Sequence, residues 1–201
     1  MKRKSKARVK IVPPKLHRDT TAKVLCLDPG SVNFGWSVIK IKNRKWSIVK
    51  CGMIRNTIKD LKGEEYEKSI DAFAVEFSWM LTKARPTHVF AERYTSRIRG
   101  TTIEAVNGML GTASILTRAY NRKTMLRLVM AANWKFRIKK IMDLESYYKT
   151  VGVPDHVVDS CFLGLYNCEL FLGLNIDQFK FKTNQARLRK ELERKFIKVE
   201  K

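Results

Sequence analysis

The chain begins its ordered pattern at residues 24–27, an apolar run that ends at Asp28-Pro29-Gly30. A short apolar run closed by a turn signal predicts a buried strand. Residues 35–41 alternate apolar and polar and predict a second strand, and Asn43-Arg44 turn the chain into a third over 46–51. Strands joined this closely form an antiparallel meander. From Gly63 the period changes: Ile70, Phe73, Ala74, Phe77, Met80 and Leu81 recur at helical spacing, so 64–84 is an amphipathic helix that Pro86 stops. A fourth strand over 87–91 runs up to Glu92. A helix over 101–120 carries Gly108, Gly111, Ala113 and Ser114, small residues that permit close packing. A fifth strand covers 125–130, and 133–150 is helical but mixed in pattern. Pro154 stands where a helix starts, and 157–172 continues it as a largely buried helix. The last twenty residues predict a basic helix with an exposed role. Helices that follow single strands imply parallel crossovers. The expected architecture is therefore α/β: a mixed five-stranded sheet, three antiparallel strands then parallel crossovers, with helices on both faces.

Charge changes this picture. The net charge is +22 over 201 residues, which calls for an acidic partner, nucleic acid being the commonest. Residues 1–23 carry nine Lys/Arg against one acid, residues 180–201 nine against three, and residues 93–140 eleven against one. What remains is slightly acidic, as expected of a polyanion-binding surface beside a site that needs carboxylates. The expected organisation is a flexible basic arm over 1–22, interrupted by Pro13-Pro14, a catalytic unit over 23–175, and a basic C-terminal extension over 176–201. Cys26, Cys51, Cys161 and Cys168 form no C-x-x-C pair and read as reduced core thiols. No apolar run reaches the length of about 18 residues that a membrane helix needs, and the N-terminus is no secretory signal. The expected location is intracellular, in the cytoplasm or nucleoid of a bacterial or phage-infected cell.

Three acids fall where a sheet presents side chains to solvent: Asp28 after the first strand, Glu92 after the fourth, and Asp159 in the first turns of the late helix. Taken singly, each has an ordinary reading. An acid before Pro-Gly is commonly a turn residue, Glu92 can be a surface ion pair, and Asp155 is favourable at a helix N-terminus. His156 can be a capping histidine. As an ordered set they are oxygen donors that hard cations such as Mg²⁺ or Mn²⁺ demand. Two such ions can drive phosphodiester hydrolysis.

Val24-Leu25-Cys26-Leu27-Asp28-Pro29-Gly30-Ser31, followed by Gly35, resembles the first-strand signature of the RuvC family of Holliday junction resolvases. Ala91-Glu92-Arg93 resembles that family's second acidic site, Asn107-Gly108-Met109-Leu110-Gly111 its small-residue helix, and Asp155-His156-Val157-Val158-Asp159 its late acidic helix. The resemblance spans roughly residues 22–172 in order. It implies a ribonuclease H-like fold and a homodimeric structure-selective endonuclease that cuts branched DNA (four-way junctions, also forks and flaps) with two Mg²⁺ ions per site, Mn²⁺ substituting. Asp28, Glu92 and Asp159 map onto metal-binding carboxylates. The fourth position falls by register on His156, with Asp155 as its neighbour or an alternative ligand. DNA contacts are expected from Arg93, Arg97, Arg99, Lys135, Arg137, Lys139 and Lys140, with Tyr94 as the aromatic that stacks on bases. Segment 141–153 matches poorly. Two other readings stay open: a different ribonuclease H-like nuclease, acting on RNA–DNA hybrids or in transposition, and a non-catalytic nucleic-acid-binding module.

Overall fold

A computed structural model of the protein describes residues 21–55, 64–94 and 101–197. Strands β1 (Thr21–Asp28), β2 (Asn33–Lys42) and β3 (Lys45–Arg55) form the expected antiparallel meander. Its tight turn holds Asn43 and Arg44 at φ 51° and 60°, the positive values that a two-residue hairpin loop requires. After α1 (Glu64–Ala84), β4 (His88–Arg93) pairs parallel with β1. After α2 (Thr101–Tyr120), β5 (Leu126–Met130) pairs parallel with β4. The sheet order is β5-β4-β1-β2-β3-β6.

Six strands replace the five expected from sequence. The sixth, β6 (Phe196–Ile197), is only two residues long and pairs parallel with Cys51 and Gly52 of β3. Two residues give no alternation to read, and the helix before them lays them along the edge of the sheet.

Strand parity divides the molecule. Val24 and Cys26 face one core with Ile39, Ile48 and Phe90, whereas Leu25 and Leu27 face the other with Phe34, Trp36 and Val89. The second core is closed by α1 and α2. The first is closed by α3 (Ala131–Lys139), α4 (Leu144–Thr150), α5 (Asp155–Leu172) and α6 (Lys182–Lys195). The mixed segment 133–150 resolves into α3 and α4 because Asp143 caps the second helix, accepting from the amides of Glu145 and Ser146. All four cysteines are buried and none forms a disulfide. Among the described residues no helix is long and apolar enough to cross a membrane.

The expected exposed basic helix, α6, forms but is partly a core element. Leu188 and Leu192 are fully buried, and the Cys51 thiol donates to the Leu192 carbonyl at 3.5 Å. A two-leucine stripe at i, i+4 was hidden among basic neighbours, and it fastens the C-terminal segment to β3. Leu188→Ala is expected to cost about 2–5 kcal/mol, read as a lower urea midpoint with unchanged slope. A midpoint equal to the parent's would mean that α6 is a detachable appendage.

Candidate active site

Parity places the first two acids. In the parallel ladder Leu27 pairs with Ala91, so the next residue on each strand, Asp28 and Glu92, ends a neighbouring strand about 4.8 Å away. Asp28 has the parity of Val24 and Cys26, and Glu92 that of Phe90, so both carboxylates turn toward the face covered by α3 and α5.

Helix α5 supplies the next two groups. Its first turn lies directly on β2 at Gly35, the residue paired with Asp28. A Cβ at Gly35 would overlap the carbonyl of His156 and come within 2.8 Å of its Cβ, so this approach requires glycine. The result is a 2.5 Å contact between His156 Nδ1 and Asp28 Oδ2, with the Asp28 side chain 8 % exposed and that of His156 42 %. Asp159, one turn on, receives the Tyr148 hydroxyl and lies 3.1 Å from Lys135 Nζ. Glu92 accepts from Trp134 Nε1 at 2.8 Å. The Lys135 ammonium also sits 5.0 Å from the Trp134 ring centroid.

The electrostatics record a crowd of acids. Burial is the largest effect on Asp28 and raises its pKa; Asp159 adds to the rise, and the hydrogen bond with His156 only partly opposes it. Glu92 is raised by burial and then by Asp28, against the Trp134 hydrogen bond. His156 is raised chiefly by its hydrogen bond to Asp28, despite burial. Burial alone would lower Lys135, but Asp159, Glu92 and Asp28 outweigh it and hold the ammonium above the ordinary lysine range. The Tyr148 hydroxyl is pushed well up by burial and by Asp159, and stays a proton donor.

Asp28, Glu92, His156 and Asp159 thus meet at one end of the sheet. Asp155 is exposed at the first position of α5, at the rim, where its charge reaches His156 and Tyr148. The donors are hard carboxylate oxygens and an imidazole, which suit a divalent cation in kind and in place. Each is turned to a protein partner, however. Among the described residues no group of three or more His, Cys, Asp or Glu is arranged to hold a metal ion. Tyr148 and Lys135 both hold Asp159.

The expected DNA-binding residues scatter. Arg93 is exposed at the end of β4 and Tyr94 is half-buried against the second core. Arg97 and Arg99 lie outside the described residues. Lys139 ends α3 and Lys140 follows it, both exposed. Arg137 is engaged otherwise: its guanidinium holds Glu169 through two hydrogen bonds of 2.9 and 2.6 Å, and Asp177 at 3.1 Å, tying α3 to α5 and the 3-10 turn Ile176–Lys180. Its place among basic neighbours gave no sign of that pairing.

Two residues that touch the acids were missed from sequence, Trp134 and Tyr148. Tyr148 lies in the poorly matching segment 141–153, and nothing in its spacing points to Asp159. Tyr148→Phe leaves Asp159 without its hydroxyl and is expected to lower metal affinity or activity about 10- to 100-fold, with the melting temperature close to the parent's. Isothermal titration with Mn²⁺ checks the first. Unchanged Mn²⁺ affinity and activity would make the contact incidental.

Parallel central strands that run up to neighbouring acids, faced by a late helix that brings a third, make a ribonuclease H-like fold. The Thermus thermophilus RuvC structure shares this fold: TM-score 0.62 at 14% identity, over 76% of this chain and 97% of that one. T. thermophilus RuvC in complex with a Holliday junction substrate gives a TM-score of 0.58 at 14% identity, covering 71% and 90%. No family model matches the chain. In sequence it is 26% identical over 140 residues to the crossover junction endodeoxyribonuclease RuvC of Prochlorococcus marinus strain MIT 9301, and 27% identical over 146 residues to that of strain AS9601. Each alignment covers 69% of this chain and 88% of the relative. The chain is RuvC-like in sequence and fold.

Proposed function

We infer that this chain is a metal-dependent DNA endonuclease that cuts Holliday junctions and related branched DNA. The observation that carries the reading is the placement of Asp28 and Glu92 just beyond the last paired residues, Leu27 and Ala91, of adjacent parallel strands, opposite His156 and Asp159 on α5. A non-catalytic DNA-binding module gains nothing from three acids facing phosphate. The likeness to RuvC supports the substrate class.

Asp28, Glu92 and Asp159, with His156, would hold two divalent ions, Mg²⁺ or Mn²⁺. When bound, such ions supply Lewis acidity at the phosphate undergoing hydrolysis. Trp134 holds Glu92 in place and Tyr148 holds Asp159. His156 orients Asp28 and keeps a proton close to it, and Asp155 supports His156 from the rim. Lys135 meets the DNA backbone beside the acids, with Arg93, Lys139 and Lys140 contacting phosphates further out; Arg97 and Arg99 belong to the same proposed surface, and Tyr94 stacks on an opened base. The catalytic unit over 23–175 is completed by residues 176–197, which pack on it. A homodimer would present two such sites to the two strands of a symmetric junction.

The test uses the full chain, Mg²⁺ or Mn²⁺, and matched labelled four-way junction, fork, linear duplex and RNA–DNA hybrid, with a chelator as control. Paired metal-dependent nicks in the junction, absent from duplex, are expected. Hybrid cleavage with the junction intact would move the reading to a ribonuclease H, and binding without cutting would leave a binding module. A monomer both free and on DNA would remove symmetric resolution.

A pH dependence follows from the raised carboxyls. Asp28 and Glu92 gain protons at a higher pH than ordinary carboxylates, which titrate near about 4. Metal-dependent cleavage is therefore expected to fall on the acid side at a higher pH than ordinary carboxylates would give. Single-turnover rates from about pH 4 upward check it; an acid limb at or below the ordinary carboxylate range would contradict the crowding of charge.

A further inference from the structure

Helix α4 has two working faces. One carries Tyr148 to Asp159. The other, with Ser146, Tyr147 and Thr150, forms one wall of a groove of about 470 Å³, whose opposite wall is Lys180, Lys182, Gln185 and Arg189 from the 3-10 turn and α6. We propose that this groove binds the phosphodiester backbone of a DNA arm leaving the active site. The proposal rests on the reading of the chain as a DNA nuclease, and it concerns a segment beyond residue 172, where the resemblance to RuvC ends.

Charge within the groove is unbalanced and available. Three cations line it against one acid, Asp143. That acid is committed to α4, whose amides at Glu145 and Ser146 it accepts. Lys180 is shared with Asp177 at 3.3 Å. Lys182 and Arg189 form no ion pair among the described residues, so their charges are directed to solvent and to whatever enters. Helix α6 opens here with no acid in its first turn and no side-chain cap, which adds the positive end of a fourteen-residue helix to the same wall. The elongated polyanion that fits such a groove is nucleic acid, and its distance from the acids suits one continuous strand. A helix is about 10 Å across with its side chains, so a backbone cut beside Asp159 reaches the groove within a few phosphates. Leu188 and Leu192 hold the cationic wall rigidly to the sheet, so the groove is preformed.

The decisive experiment measures junction and duplex binding against salt, using the full chain in an Asp28→Asn background so that nothing is cut. Removing Lys182 and Arg189 as glutamines is expected to reduce the slope of log affinity on log salt by roughly 0.9 per lost phosphate contact, and to weaken junction binding about tenfold. The comparison removes the same charge at Lys42 and Lys45, exposed residues at the opposite end of β2 and β3, and is expected to leave slope and affinity close to the parent's. Lys182→Arg is expected to retain binding. Melting temperatures equal to the parent's show that the variants fold. Equal losses from both pairs would reduce the groove to diffuse charge, and an unchanged slope at Lys182 and Arg189 would remove it altogether. Because the readout is binding, a chain that cuts nothing would defeat the nuclease reading while still deciding whether the groove holds DNA.

Discussion

Asp28→Asn is expected to abolish junction cleavage by about three orders of magnitude, roughly 4 kcal/mol in the barrier, while leaving junction binding intact. Asp28 is the acid placed centrally: it ends the strand between β2 and β4, touches His156, and its charge is felt by Glu92, Lys135 and Tyr148. An amide keeps the shape and the contact with His156 but removes half of the donor character that a divalent ion needs. Stability is expected to move the other way. The folded carboxyl has a raised pKa, so its contribution to stability is present below the unfolded value and is lost as pH rises through the folded one. Above that folded value the ionised carboxylate opposes folding, and the neutral amide relieves that opposition. A melting temperature no lower than the parent's, with cleavage gone, is the expected pair of results. Cleavage persisting at parental rate would remove Asp28 from the chemistry. A large fall in melting temperature would show that its role is to hold α5.

Gly35→Ala is expected to cost about 3 kcal/mol, the upper part of the range for overpacking, and to reduce cleavage as well. The added methyl meets backbone, the carbonyl of His156, rather than a side chain that could rotate away. Helix α5 cannot retreat cheaply, because Val157, Val158, Cys161 and Phe162 fix it in the core. If its first turn lifts, His156 leaves Asp28. Urea melts and nicking rates measure the two effects together. Gly111→Ala is the matched control: a Cβ there meets nothing within 4 Å, and it is expected to stabilise α2 by about 0.5–1 kcal/mol. If Gly35→Ala behaves like Gly111→Ala, the first turn of α5 is adjustable and the geometry at Asp28 is not built on that glycine.

The outline of this site was legible in sequence because strands and helices convert spacing into direction. An apolar run ending at Asp28 and another ending at Glu92 become neighbours once both strands lie parallel in one sheet. Asp159 follows from a helix packed on that face. Spacing could not separate Asp155 from His156, since both flank Asp159 on the helix; the seating of α5 on Gly35 brings His156 against Asp28 and leaves Asp155 at the rim. Trp134 and Tyr148 were invisible for the same reason, since what matters is the tertiary position of α3 and α4. Charge misled most. Nothing in the spacing of Arg137 announces that Glu169 and Asp177 hold its guanidinium, and α6 looked like a solvent-facing tail because nine basic residues over 180–201 outnumber the two leucines that bury it. Composition reports how many charges there are, whereas packing decides which are already spent.

The contact between His156 and Asp28 spans 128 positions of the chain. Asp28 leaves the ribosome before Glu92, and neither can meet His156 or Asp159 until α5 has been made and seated. Shortened or half-folded molecules would keep most of their positive charge, and with it their attraction to DNA, yet lack the joined acids. The order of synthesis therefore acts as a safety catch: the acids are joined only once α5, the last of the elements that carry them, has been made and seated.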